Sequence, residues 1–293
     1  MPPITLKNKC WILFFFLSYG ISGCGMLSDH STEKTNTASD GENFNESYEL
    51  KRKADQLLFQ KHTPKICEEA FESYQKAKEL EPQFPGLYWR MARACHYRAS
   101  YHKKGDAERK SWSKKGLDCA KKSLAEATDA QAHYYFALFT GIIADETFAP
   151  DPKIVLEIVS HAEQSSKLDP TFDYAGSYRL LGAIYLNAPS FPRSIGDKEK
   201  AVDYLKKSVR EHPEYQENQL LLGEALFLWS QILAEEEDFF KEAKQAYDEA
   251  YKAIQRSLEL PPLPDREHLK NEFDLKAKEL LKSIEENPIS EIK

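Results

Sequence analysis

The sequence is poor in the patterns that most often announce an enzyme. It has no P-loop, no GxGxxG, no HExxH, no GxSxG, no CxxC and no EF-hand loop, which does not exclude an enzyme but leaves nothing that points to the phosphate, dinucleotide, zinc or acyl-transfer chemistries those spacings serve. Glycine is scarce, at 12 in 293 residues, and period-two apolar alternation is nearly absent, which argues against sheets. Positive charge is not in excess. With 40 basic and 47 acidic residues the formal net charge is −7, which excludes nucleic acid and a broad anionic surface as natural partners. No cofactor is called for.

What the sequence does have begins at its N-terminus. Lys7 and Lys9 precede an unbroken apolar run from Cys10 to Tyr19, followed by mostly small residues from Gly20 to Gly23. This is the three-part layout of a secretory signal, and the run is too short to span a bilayer, which needs about 20 apolar residues. Ile21-Ser22-Gly23-Cys24 resembles the lipobox of bacterial lipoproteins, which makes Cys24 the expected lipidation site and first mature residue. The competing reading is a plain secretion signal that happens to end in cysteine. Each buried acyl CH₂ contributes about 0.8 kcal/mol, so two or three chains anchor a protein durably. Gly25 rather than Asp follows the cysteine, which leaves transfer to an outer membrane permitted, with the chain facing the periplasm. Residues 24–45 are rich in Ser, Thr, Asn and Asp and poor in large apolar side chains, the composition of a flexible tether. Residues 46–293 then form the folded domain. Its cysteines, Cys67, Cys95 and Cys119, are odd in number and widely spaced, so they make no disulfide framework. They read as three buried thiols on helices, with a single disulfide between two of them as the rival.

The folded part reads as all-α. Stretches such as EAFESYQKAKEL, VDYLKKSVREH and QLLLGEALFLWSQIL repeat apolar residues at i, i+3 and i+4, the stripe of an amphipathic helix. Tyr178-x2-Leu181-Gly182-x2-Tyr185 and Ala201-x3-Leu205-x2-Ser208-x4-Pro213 fit the two helices of a tetratricopeptide repeat. Ala70-x3-Tyr74-x2-Ala77-x4-Pro82 fits a second helix as well. Helices that approach closely need a small residue at the crossing, and the equivalent position in successive units is Ala54, Ala92, Ala137, Gly182 and Gly223. The spacings of 38, 45, 45 and 41, taken as 92−54, 137−92, 182−137 and 223−182, exceed the usual 34 or so. Insertions are therefore expected, at Asp145–Pro152 and Asn187–Asp197, on one face of an array of five helix pairs. After the break LPPLP at 260–264, the segment 265–286 reads as a capping helix.

Candidate chemistry is thin. His96 and His102 are six apart and do not share a helix face as ligands at i, i+4 would, so no metal site is assigned. Arg93, His96 and His133 are the sole candidates for a catalytic group. Aromatic and arginine side chains cluster instead on the first helices, where Trp89, Arg93, Tyr97, Tyr134 and Arg179 are candidates to line a concave binding face. The alternative is a structural one, core rings with arginines snorkelling past them.

Three stretches, YWRMARACHYRAS, GLDCAKKSLAEATDAQAHYYFALFTG and the run from GSYRLLGAIYLNAPSFPRSIGD to AVDYLKKSV, resemble the T-component of tripartite ATP-independent periplasmic (TRAP) transporters, most specifically in the loop APSFPRSIGD. The segments WRMARA and AHYYFAL are distantly similar to animal regulators of microtubule dynamics. The first resemblance implies a periplasmic lipoprotein that associates with a solute-binding protein. It also implies trimerisation and a hydrophobic ligand cleft. A different periplasmic client, in an envelope assembly role, is the alternative partner.

Overall fold

The computed structural model describes residues 38–60, 63–147 and 150–289; Cys24, the signal segment and the tether as far as residue 37 lie outside them. Eleven α-helices make up nearly all of the described chain. They run as five successive pairs: α1 (Ala38–Gln60) with α2 (Pro64–Leu80), α3 (Leu87–Ser100) with α4 (Ala107–Glu126), α5 (Ala130–Asp145) with α6 (Pro152–Leu168), α7 (Phe172–Asn187) with α8 (Lys198–Glu211), and α9 (Gln216–Leu233) with α10 (Phe240–Glu259). A 3-10 turn, Pro264–Leu269, then leads into α11 (Lys270–Glu286).

Local chemistry starts several of these helices where the sequence turns. Thr63 accepts from Ile66 N at 3.2 Å with Pro64 in the first turn of α2, Asp129 caps α5 through Ala132 N at 2.8 Å, and Asp197 caps α8 through Lys200 N at 3.0 Å. Each side chain satisfies a helix-start N–H that has no partner within its own helix, and Pro64 sits where no N–H is needed.

The five small positions lie at the crossings within the pairs. Ala54, Ala92 and Ala137 are fully buried, and a Cβ added at Gly182 would lie 2.5 Å from Leu205 Cγ, or at Gly223 2.3 Å from Ile254 Cγ1. Leu205 and Ile254 press directly onto the glycine backbone of the facing helix. That contact lets each bury its whole side chain, for about 1.5–3 kcal/mol apiece. Tyr185 is buried in the same unit, while Tyr178 is half-buried and stacks with Tyr204.

Both expected insertions fall between the two helices of a pair, at α5/α6 and α7/α8, and so at the same edge as the α1/α2, α3/α4 and α9/α10 turns. Neighbouring turns along this edge are tied together. Lys104 Nζ meets Asp145 Oδ1 at 2.7 Å, and Gly105 N donates to Glu146 Oε2 at 3.0 Å. The α7/α8 loop is pinned at its base by Gly196 N to Pro189 O and Asp197 N to Tyr185 O, both 2.9 Å.

Two boundaries differ from the sequence reading. Helix α1 begins at Ala38, inside the expected tether, because Phe44 finds a stacking partner in Phe84 at 5.6 Å. The terminal helix begins at Lys270 rather than 265; the preceding residues form a 3-10 turn that carries Arg266 into the interior. The helix itself caps the array, burying Phe273, Ala277 and Ile284, with Tyr247 OH donating to Ile284 O at 2.7 Å. No helix among the described residues is long and apolar enough to cross a membrane. Cys67, Cys95 and Cys119 are buried free thiols on α2, α3 and α4.

Candidate functional site

The first helices of the pairs turn a set of charged and aromatic side chains toward one another, and these fall into two clusters. In the first, Asp55 of α1 receives Arg93 Nη2 at 2.8 Å, the Tyr74 hydroxyl at 2.7 Å and Arg90 Nε at 3.4 Å. Trp89 lies under both arginines, with ring-to-guanidinium distances of 4.1 Å for Arg90 and 5.3 Å for Arg93. Burial works against the charge on Asp55, but Arg93 and Arg90 outweigh it and hold the carboxyl below its usual range.

In the second cluster Asp173, at the start of α7, takes Arg179 Nη2 at 3.2 Å, Arg266 Nη2 at 3.2 Å and a hydrogen bond from the Tyr134 hydroxyl. Arg179 also reaches Glu217 Oε2 at 3.1 Å and Asn218 Oδ1 at 3.2 Å and stacks over Tyr215, whose hydroxyl donates to Glu217. Burial dominates here. It raises Asp173 to about 6 against the opposing pull of Arg179 and Arg266, and it raises Glu217 as well. The backbone is strained at the same point, because Asp173, Tyr174 and Ala175 all have left-handed φ, at 56°, 53° and 63°. Non-glycine residues in that region cost of order 1 kcal/mol each. Gly176 follows because a Cβ there would lie 2.8 Å from both Asp173 Oδ2 and the Tyr134 ring.

Phe172 joins the clusters, packing edge-on against Trp89 at 6.1 Å and Tyr134 at 5.4 Å. The structure thus brings Trp89, Arg93, Tyr134 and Arg179 into one continuous network, and Tyr97 enters it with its ring 5.8 Å from the Arg266 guanidinium. None of the five lines an open face, since each is less than a tenth exposed. The arginines do not snorkel either; Arg179 ends on the buried Asp173 and Glu217, and Arg93 on the half-buried Asp55. The residues that sequence reasoning missed are those carboxylates, Asp55, Asp173 and Glu217, together with Arg266. An acidic residue at an inward position of a first helix was a readable signal for Asp55 and Glu217, but nothing near Arg266 signals a partner 93 residues away.

The three catalytic candidates have separate surroundings. Arg93 is held by Asp55, His96 packs among Tyr97, Tyr135 and Phe139, and His133 sits with its Nδ1 2.9 Å from that of His161. Burial lowers the pKa of both His133 and His161. No group of three or more metal-ligating side chains occurs among the described residues.

Large apolar side chains lie exposed elsewhere. Phe59, Tyr101, Ile154, Leu156, Phe191, Ile232 and Phe239 sit at or near the turns within pairs, along the edge that carries both insertions, while Phe44, Tyr48, Leu168, Leu228 and Leu275 are exposed away from it. Phe191, at the tip of the α7/α8 loop, is 87 % exposed.

Comparison with known proteins adds a partial likeness. Residues 50–183 match the family model described as regulator of microtubule dynamics protein 1-3. The match takes in most of the first three pairs and part of α7, just under half of the chain, and ends before the α7/α8 loop. No curated protein matches at a significant level. Among solved structures, the crystal structure of MamA protein is 16% identical, covering 75% of this chain and 91% of that one with a TM-score of 0.42. TTC0263, a thermophilic TPR protein in Thermus thermophilus, is 12% identical, covering 83% and 99% with a TM-score of 0.49. The tetratricopeptide-like character rests on the chain's own five pairs with a small residue at each crossing.

Proposed function

We propose that this chain is a protein-docking scaffold held at a bacterial membrane by lipid on Cys24, and that it serves as the T-component partner of a periplasmic solute-binding protein in a TRAP-type transporter. A stacked array of helix pairs presents a preorganised surface, so docking needs little rearrangement of the scaffold. The observation that carries the reading is the position of Phe191. The loop most specific to the T-component resemblance, APSFPRSIGD, is also the loop that places the most exposed aromatic of the described residues on an edge lined by other exposed apolar side chains. Exposed apolar side chains gathered along one edge favour protein contact there, and aromatic residues dominate the energetics of such contacts. The family resemblance adds trimerisation to the proposal.

The test is a pull-down of the tagged, full-length protein from solubilised cells, repeated with Phe191→Ala. A solute-binding protein should be recovered with the wild type and lost or strongly reduced with the variant. Recovery of envelope assembly clients and no solute-binding protein would instead favour the adaptor role. Separately, Cys24→Ala should move the protein from the membrane fraction to the soluble fraction, and retention in the membrane would refute the anchor.

A further inference from the structure

Residues Leu260–Leu269 are built differently from the rest of the molecule. They follow the last helix pair, contain three prolines, form no α-helix, and meet the first helices α1, α3 and α7. The 3-10 turn touches α1 at one end of the array, while Arg266 reaches Asp173 of α7, 93 residues earlier in the chain. Leu260, Arg266 and Leu269 are buried, whereas Pro261 and Glu267 between them are exposed. A stretch held by two leucines and one arginine, with solvent at Pro261 and Glu267, has the anatomy of a bound peptide whose second half is a 3-10 turn.

The surroundings of Arg266 are specific to a guanidinium. Asp173 Oδ1 lies 3.2 Å from Nη2, and the rings of Tyr174, Tyr97 and Tyr215 surround the group at 5.3, 5.8 and 5.9 Å. A carboxylate combined with aromatic faces suits a planar, weakly hydrated cation better than an ammonium. The rings come from α3, α7 and the turn before α9, and the carboxylate sits on the left-handed stretch at the start of α7. Strain concentrated where a ligand is gripped is the usual place for it.

We propose that the inner face around Asp173 is a binding site for an arginine-bearing peptide of a partner protein, and that Leu260–Leu269 is a resident competitor that occupies it until displaced. The proposal rests on the protein-docking reading above and adds to it a second, gated site. Its logic is that of linked equilibria. The partner peptide reaches the site only in the fraction of molecules whose own segment has lifted, so its apparent affinity is reduced by that fraction. The prolines before Arg266 let the segment leave without unravelling a helix, and α11 remains packed on α9 and α10 through Phe273 and Ile284.

The experiment uses the mature full-length protein and a fluorescent synthetic peptide of residues 258–271 (LELPPLPDREHLKN), followed by anisotropy. Arg266→Ala weakens the internal competitor and should bind the peptide at least tenfold more tightly than the wild type. A peptide with alanine in place of its arginine should not bind, and adding Asp173→Asn to the Arg266→Ala protein should abolish binding. Circular dichroism checks that the variants remain folded. Amide hydrogen exchange on the wild type gives a readout that needs no variant, because residues 260–269 should exchange faster than α9 through local opening. The proposal is overturned if folded Arg266→Ala binds no better than the wild type, or if 260–269 exchange only with global unfolding. A concentration-dependent wild-type dimer abolished by Arg266→Ala would assign the arginine to a second copy and overturn the assignment to a partner. Loss of the solute-binding protein in the pull-down leaves this test standing, and absence of peptide binding leaves docking at the turn edge standing.

Discussion

Asp55 and Asp173 are both aspartates held by two arginines on the inner side of the same array, yet their surroundings push their proton affinities in opposite directions. Asp55 retains 30% side-chain exposure and has Lys51 at 3.3 Å besides its arginines, so positive charge outweighs burial. Asp173 has no exposure, and Glu217 adds a second negative charge nearby, so burial outweighs its two arginines. The difference teaches that ion pairs within one array are not equivalent energetically, because the desolvation of a fully enclosed pair can exceed its Coulombic gain. Tyr134, Arg179 and the C-terminal segment's Arg266 together enclose the Asp173 carboxylate.

The largest effect on this comparison should come from Arg179→Ala, which strips Asp173 and Glu217 of their shared partner inside the protein. Removing one member of a buried ion pair typically costs about 3–5 kcal/mol, and urea unfolding should show a loss of that size. Arg93→Ala, in the partly solvated cluster, leaves Asp55 with Arg90 and Lys51 and should cost about 1–3 kcal/mol in the same assay. Equal losses for the two would erase the distinction between the clusters.

The pH dependence separates them more finely. Asp173 has a folded pKa raised to about 6 from the ordinary 3.8, so the folded state binds more protons than the unfolded one between those values. Its contribution to stability therefore falls as pH rises from about 4 to about 6. Asp55, whose folded pKa is lowered, contributes stability above its ordinary pKa that is lost as pH falls through the folded value. Asp173→Asn should remove a downward slope of stability with pH, and Asp55→Asn an upward one, in unfolding curves measured from about pH 3 to 7. Lys51→Ala, at the solvated rim, should cost no more than about 1 kcal/mol.

Much of the fold was legible because helix pairing is local and repetitive. Five small residues at spacings of 38 to 45 marked the crossings, and Leu205 and Ile254 now press onto two of them. The second insertion could be placed from its two prolines and its glycine, and pairing each first helix with its second shows which edge both insertions occupy. The start of α1 was hidden because its opening stretch ASDGENFN is small or polar apart from Phe44, and Phe44 stacking on Phe84 is a tertiary contact. The site was half legible. Trp89, Arg93, Tyr97, Tyr134 and Arg179 do converge, but the network also takes in Arg266 from the far end of the chain, which reaches Asp173 and the Tyr97 ring. No periodicity in a sequence reports a contact of that range.

The most direct test of the docking account is photo-crosslinking in living cells, with a photoreactive phenylalanine analogue placed at Phe191, at Phe239, or at exposed Gln83 on the opposite edge. The account predicts that positions 191 and 239 capture a solute-binding protein, identified by mass spectrometry, and that position 83 does not. Capture from position 83 with none from 191 or 239 would contradict it.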